Sequence, residues 1–316
     1  LNNEIGLPLT LLELDASHGA AVVEMGMSGF GEISGLSKLA LPDIAIITNI
    51  GQSHIEYLGS REGIRKAKLE ILDGMKKNGY IVLNGDDEYL KTCPEAKNHK
   101  VLYFAIDNQK ADVRACNIES GNSGSRFVIS YPGGQVEAES AIPGMHSIYN
   151  ALAAFTAGIC AGVPPESAAR AIKTVLPEGM RQRIYKSGNI TIIKDCYNAN
   201  PDSVKAALAV LNGYKERKIA LLGDMLELGN YSCAAHREIG WQAAHSANII
   251  IAIGQYSSDI AFGALEAGAD KAGIFTPSRD EVPRLLKSVL TYGDVLLVKG
   301  SRAMRMEELI DKYKEI

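Results

Sequence analysis

The chain has 316 residues, 46% hydrophobic and 22% charged, with a formal net charge of −4. That is enough for two globular domains, and it lacks the basic field of a nucleic-acid binder. No apolar run reaches the roughly 18 residues of a membrane span, and no signal peptide is visible.

Along the first half, strand and helix patterns alternate. Ala20–Met25 reads as a buried strand ending in the carboxylate of Glu24, and 44–50 as a second strand. Ser60 is a fitting N-cap for a helix that carries Ile64, Ala67, Ile71, Leu72 and Met75 on one apolar stripe, with Gly74 near its stop. Tyr80–Asn84 and Val101–Phe104 read as further strands. Continuous apolar strands separated by helices predict a parallel sheet covered on both faces. From about 111 to 141 short polar-alternating strands with Gly-rich turns predict an antiparallel insert. Helices follow at 146–161 and 165–175, and Pro177-Glu178-Gly179 marks a hinge. Beyond it, strands at 191–194, 219–222, 249–253 and 295–298 alternate with helices at 201–211, 233–244, 258–267, 280–290 and 303–314. This is a Rossmann-like doubly wound layout. The fold class is α/β, with domains at 1–177 and 178–316. The five cysteines are scattered and include no Cys-x-x-Cys pair, which speaks for a reducing cytoplasm and against a disulfide frame or zinc site.

Ligands of open parallel sheets gather at the carboxyl ends of strands. Glu24, His54 and Lys68 converge there in the first domain. Lys68 lies inside the apolar stripe of its helix. An ammonium there is costly unless paired or chemically changed. Two readings stand: a packed stem with a snorkelling head, or a functional lysine near a phosphate or metal centre. Glu24 and His54 suit a hard divalent ion, or are simply satisfied by local hydrogen bonds. Gly26-Met27-Ser28-Gly29-Phe30-Gly31 is either an anion cradle or a tight turn. No G-x-x-x-x-G-K-[ST] phosphate loop occurs. In the second domain Asn200 is a fitting N-cap and Pro201 a fitting first helical residue. Asp195 could meet a ribose hydroxyl across a cleft, and Lys299-Gly300-Ser301-Arg302 suits phosphate or carboxylate groups.

Several motifs run in order along essentially all 316 residues. They include Val23-Glu24-Met25-Gly26-Met27, Ala67-Lys68-Leu69-Glu70-Ile71, Tyr197-Asn198-Ala199-Asn200-Pro201, Gly223-Asp224-Met225-Leu226-Glu227-Leu228-Gly229 and Lys299-Gly300-Ser301-Arg302. In these the chain resembles the Mur ligases, specifically the branch joining D-alanyl-D-alanine to UDP-N-acetylmuramoyl-tripeptide through an acyl phosphate. The resemblance implies ATP and Mg2+ as cofactors and a carbamylated Lys68 that, with Glu24 and His54, meets the metal. It assigns Asn150 to the adenine, Arg181, Tyr197, Asn198 and Asn200 to the nucleotide surface, and Asp195 to the ribose. The resemblance also implies that Lys299, Ser301 and Arg302 belong to a substrate-facing loop. A cytoplasmic monomer without nucleic-acid or membrane partners is expected. Met145 and Ser147 stand where the family has a basic residue and an Asn. The chain starts at Leu1 without the family's phosphate loop or sugar-binding domain, so a truncated central domain and an inactive fragment are expected. Rival readings are another Mur ligase, a folylpolyglutamate synthase-like enzyme, a non-catalytic nucleotide-binding protein, and a dehydrogenase that lacks its dinucleotide fingerprint.

Overall fold

Short apolar runs become the parallel strands of a first sheet: β1 (Ile44–Ile47), β2 (Tyr80–Asn84) and β3 (Lys100–Ala105). The computed structural model describes residues 2–177 and 179–311. Ile81, Val82 and Leu83 are fully buried because β2 has a neighbour on each side and cover on both faces. The insert supplies β4 (Val113–Gly121), β5 (Gly124–Tyr131) and β6 (Gly134–Ser140), which complete the order β1-β2-β3-β4-β5-β6. Two-residue turns join β4 to β5 and β5 to β6, a connection open only to antiparallel neighbours.

The helices of this half are α1 (Gly6–Leu12), α2 (Glu32–Ala40), α3 (Ile55–Leu58), α4 (Arg61–Leu69), α5 (Met145–Cys160) and α6 (Pro165–Thr174). Helix α5 buries Ile148, Ala151, Leu152 and Phe155 against Phe104, Phe127 and Ile129, the i, i+3, i+4, i+7 face of an amphipathic helix. Its rotation is pinned at the first turn. The Tyr149 hydroxyl donates to Asp86 Oδ2 at 2.9 Å, and Asp86 also accepts the backbone N–H groups of Ile106, Asp107 and Asn108. Asn150 is left on the exposed side.

Two expectations fail here. Ala20–Met25 is not a strand: no described backbone pairs with it, β1 is the edge of the sheet, and Val22 is 96% exposed. Apolar composition alone does not make a strand without a ladder partner. Helix α4 is capped by Ser60, whose hydroxyl accepts Gly63 N–H at 3.1 Å, but it ends at Leu69 and tightens into a 3-10 turn over Glu70–Gly74. There α2 comes so close that a Cβ on Gly74 would stand 2.0 Å from the Ser37 carbonyl.

In the second half, β7 (Arg183–Ser187), β8 (Ile190–Asp195), β9 (Lys218–Leu222), β10 (Ile249–Ala252), β11 (Ile274–Phe275) and β12 (Val295–Lys299) form a sheet in the order β11-β10-β9-β12-β8-β7. It is parallel except for β7, which runs antiparallel to β8. Helices α7 (Pro201–Asn212), α8 (Ser232–Ala244) and α9 (Ser257–Glu266) pack side by side. Ile192, Ile219, Leu221, Ile251, Leu296 and Val298 point the other way, against α10 (Val282–Val289) and α11 (Glu308–Asp311). The two-residue period of a strand divides the core between these faces. Strands β7 and β11 and helix α1 were not expected. The helix expected at 303–314 is a 3-10 turn at Arg302–Met304 followed by α11, and 312–314 lie outside the described residues. By contact, Ser120–Ser125 and Ala141–His146 group with the chain from Val175 onward.

The loop after β9 is tied to α8 by a fully buried histidine. Met225 N–H donates to His236 Nε2 at 2.8 Å, while Nδ1 lies 2.7 Å from the Ser232 carbonyl. Those partners require the neutral tautomer with its proton on Nδ1. Burial depresses the imidazole below its ordinary value, against the raising pull of Ser232, Asp224 and Asp259. The unfolded chain takes up this proton near pH 6.5 and the folded one only at lower pH, so the stabilisation is complete above that value and is lost as pH falls below it. Urea midpoints should therefore drop between pH 7.5 and 5.5, and His236→Gln should flatten that slope; an unchanged slope would show that His236 does not titrate with folding.

Candidate functional site

The carboxyl end of β1 is held by four side chains. Asn84 Nδ2 donates to the Thr48 carbonyl at 3.0 Å, Lys68 Nζ to Asn49 at 2.7 Å, and the Arg61 guanidinium to Ile50 at 3.1 and 2.7 Å. Asp87 Oδ2 accepts the Ile50 N–H at 2.7 Å, and Arg61 lies over the Tyr89 ring at 4.4 Å. The clamp delivers the chain to His54, which sits at φ 62 and opens α3. Lys68 is half-buried, with its amine turned onto the strand end. Arg61 and Asp87 were missed from sequence; the polar run Asn84-Gly85-Asp86-Asp87 directly after β2 was the available signal.

The other two expected metal residues have their own surroundings. Glu24 is exposed, and its Oε1 accepts Asn2 Nδ2 at 2.9 Å. His54 is half-buried and acts electrostatically on Glu32. Among the described residues no group of three or more His, Cys, Asp or Glu side chains is placed to hold a metal ion. The Gly26–Gly31 segment is a tight turn filled by the protein's own carboxylates. Ser28 N–H donates to Glu32 Oε2 at 2.9 Å, and Gly31 N–H to both oxygens of Glu70 at 2.8 and 2.9 Å. The Ser28 amide holds the Glu32 carboxyl below its ordinary value, ahead of the opposing effect of burial.

In the second sheet the strand register brings Lys299, last in β12, beside Asp195, last in β8. Lys299 Nζ lies 2.6 Å from Asp195 Oδ2 and also donates to the Asn198 carbonyl at 3.1 Å. Asp195 Oδ1 accepts the Gln182 N–H at 3.2 Å. Gln182, at φ 45, passes the contact on: its Nε2 donates to the Pro143 carbonyl at 2.7 Å, and its Oε1 faces His146 Nε2 at 2.7 Å. Burial, first among the influences, holds His146 below its ordinary value. Burial likewise pushes the Cys196 thiol up to about 12, so it is an inert neighbour.

The loop expected to face substrate is therefore split. Lys299 and Ser301 are 2% and 3% exposed. Ser301 Oγ accepts the Leu226 N–H at 2.9 Å. Both residues hold the site together from inside, because a strand-end lysine with a carboxylate in register pairs inward. Arg302 alone is exposed, paired with Glu307 at 2.5 Å. Asn200 caps α7 by accepting the Ser203 N–H at 2.8 Å, with Pro201 in the first turn as expected. Arg181 stacks on the Tyr197 ring at 4.2 Å, and both are exposed, as is Asn198. An open guanidinium–aromatic pair, two polar side chains and a half-buried carboxylate with spare lone pairs can receive a sugar or a phosphate.

The sequence matches the Mur ligase middle domain over residues 1–158 and the Mur ligase glutamate ligase domain over 180–302. It is 38% identical to the UDP-N-acetylmuramoyl-tripeptide–D-alanyl-D-alanine ligase of Bacillus subtilis, covering 98% of this chain and 67% of that protein. The Escherichia coli ligase of the same name is 35% identical over 100% of this chain and 70% of its own length. The crystal structure of MurF from Acinetobacter baumannii superposes with a TM-score of 0.91 at 30% identity, covering the whole of this chain and 69% of that one. MurF from Thermotoga maritima in complex with ADP, at 24% identity and a TM-score of 0.85, has the same fold and is covered over 71% of its length.

Removing one member of a buried ion pair strands the other. Lys299→Met should lower stability by about 3 kcal/mol, read as a fall in the urea midpoint, and adding Asp195→Asn should restore part of it. Equal stability of Lys299→Met and the parent would show that the pair is dispensable.

Proposed function

Because the chain belongs to the Mur ligase family, we propose that it serves the ATP-dependent joining of D-alanyl-D-alanine to UDP-N-acetylmuramoyl-tripeptide, a cytoplasmic step in building peptidoglycan precursors. The observation that carries this reading is similarity along 98–100% of the chain to ligases named for that reaction. In this reading the middle domain ends at 177 and the C-terminal domain begins at 178.

The chemistry asks for three things. A carboxylate must be activated, since its oxygen is a poor leaving group; transfer of the γ-phosphoryl group of ATP gives an acyl phosphate. The dipeptide amine then attacks the carbonyl, and phosphate departs. Two anions must be brought together, so cationic groups carry much of the barrier reduction, and water must be excluded from the activated acyl group. In this reading Asn150 meets the adenine, Asp195 the ribose hydroxyls, and Arg181, Tyr197 and Asn198 the rest of the nucleotide. Asn200, Lys299 and Ser301 keep that surface in shape, and Arg302 faces the acyl substrate. Glu24 and His54 would hold Mg2+, which supplies charge neutralisation to the phosphates when bound.

Lys68 enters as its carbamate. An ammonium would repel the metal, whereas a carbamate keeps one N–H for the Asn49 carbonyl and adds an anionic carboxylate. What supports this is the half-buried stem and the Asn49 carbonyl that the amine already meets at 2.7 Å.

The direct check is a ligation assay on the complete polypeptide, following ADP and amide product. Turnover should require both the tripeptide nucleotide and the dipeptide, and ligation of a single amino acid in its place would refute the assignment. In the same assay Lys68→Ala should abolish turnover, with partial rescue by short-chain carboxylic acids. A full rate without Lys68 removes it from the site; loss without rescue removes the carbamate alone.

A further inference from the structure

The turn that leaves β2, Asn84-Gly85-Asp86-Asp87, lies between the ends of β1 and β3 and is anchored to both. Toward β1, Asn84 Nδ2 donates to the Thr48 carbonyl at 3.0 Å, and Asp87 Oδ2 accepts the Ile50 N–H at 2.7 Å. Toward β3, the Gly85 N–H donates to the Phe104 carbonyl at 2.7 Å, and the Gly85 carbonyl accepts Asn108 Nδ2 at 3.2 Å. A Cβ on Gly85 would stand 3.2 Å from that same nitrogen, so the turn lies flat against the loop after β3. Asp86 is thus presented from a fixed base.

Its carboxylate gathers four donors. Oδ2 accepts the N–H groups of Ile106 and Asp107 at 2.6 and 3.0 Å and the Tyr149 hydroxyl at 2.9 Å, and Oδ1 accepts the Asn108 N–H at 2.7 Å. Four donors match the lone-pair capacity of a carboxylate and leave it one orientation. Burial is the largest influence on Asp86, yet the donors outweigh it and hold the carboxyl below its ordinary value. Burial, and after it the Asp86 carboxylate, pushes the Tyr149 hydroxyl above its ordinary value, so it stays a proton donor. Tyr149 lies on α5 between the buried Ile148 and the exposed Asn150. Consecutive residues of an α-helix are about 100° apart. Holding Tyr149 against Asp86 therefore fixes the bearing at which Asn150 leaves the helix.

We propose that Asp86 and Tyr149 are positioning residues for nucleobase selection: they hold Asn150 at the one bearing from which its amide reads adenine. The assignment rests on the ligase reading above, in which Asn150 meets the base. A side-chain amide offers an acceptor and a donor side by side, and so complements the 6-amino donor and the adjacent ring-nitrogen acceptor of adenine. Inosine triphosphate carries a 6-oxo group and presents two acceptors at the same edge. A fixed amide rejects that pattern, and a loosened one rejects it less. Both positioning residues act through Asn150 and not on the reacting groups.

Steady-state ligation by the complete enzyme, with ATP and with inosine triphosphate, tests it. The parent enzyme should favour ATP. Tyr149→Phe removes one oxygen, keeps the ring packed and leaves Asp86 its three backbone donors. It should raise the KM for ATP roughly three- to ten-fold, the cost of re-ordering one side chain at a binding surface. It should also narrow the preference for ATP while kcat and the KM for the dipeptide stay at parent values. In an Asn150→Ala background the same substitution should change neither the KM nor the preference further. Phe155→Leu loosens the buried face of α5 without touching Asp86; it should lower the melting temperature and keep the parent's base preference. The pair is structural only, and the ligase reading stands, if Tyr149→Phe keeps the parent KM and preference, if its effect persists without Asn150, or if Phe155→Leu relaxes the preference equally. A parent enzyme that uses both nucleotides alike overturns base selection through Asn150 and this assignment together. If no nucleotide supports ligation, the ligase reading itself fails.

Discussion

The second half of the molecule is organised around one ion pair. Lys299 and Asp195 end neighbouring parallel strands in register, and neither side chain could stay where it is without the other. A buried ammonium has to be matched by an acceptor. Here the match also orders the Asn198 carbonyl and, through Asp195, the Gln182 backbone. From Gln182 the network runs to Pro143 and His146. The exposed groups nearby, Arg181, Tyr197 and Asn198, thus stand on a polar base whose members are each satisfied. A fully partnered buried network of this kind specifies one arrangement, because every alternative leaves a polar group orphaned.

The first half solves a different problem. The loop at the end of β1 has little apolar surface to bury, so its carbonyls are held by cationic and amide side chains from α4 and from the segment after β2. Lys68 and Arg61 lie on the same helix, seven residues apart in sequence, two turns along one face. The apolar stripe of α4 fixes which way both point. In this sense the lysine that looks misplaced in the sequence is placed by the stripe itself: the helix buries Ile64 and Ala67, and Lys68 is carried to the strand end beside them.

Parallel strands and helix caps were legible in the sequence. Tyr80–Asn84, the Ser60 and Asn200 caps, and helices near 201–212 and 232–244 all follow from local chemistry. Ala20–Met25 was misread because strand character depends on a neighbour that composition cannot supply. The short strands β7 and β11 carry too few residues for a pattern. The Gly-rich turn was ambiguous because the carboxylate of Glu70, which fills it together with Glu32, lies 39 residues from Gly31.

By itself the sequence determined the class of the fold, most of its central strands and helices and several of the polar residues at strand ends, since periodicity and capping are local properties of the chain. Only the tertiary structure decided which of those residues face inward. Lys299, Ser301 and Arg302 are adjacent in the same motif, yet two are buried and one is exposed. Strand register and the packing of neighbouring loops set that division, and both depend on residues far away in the chain.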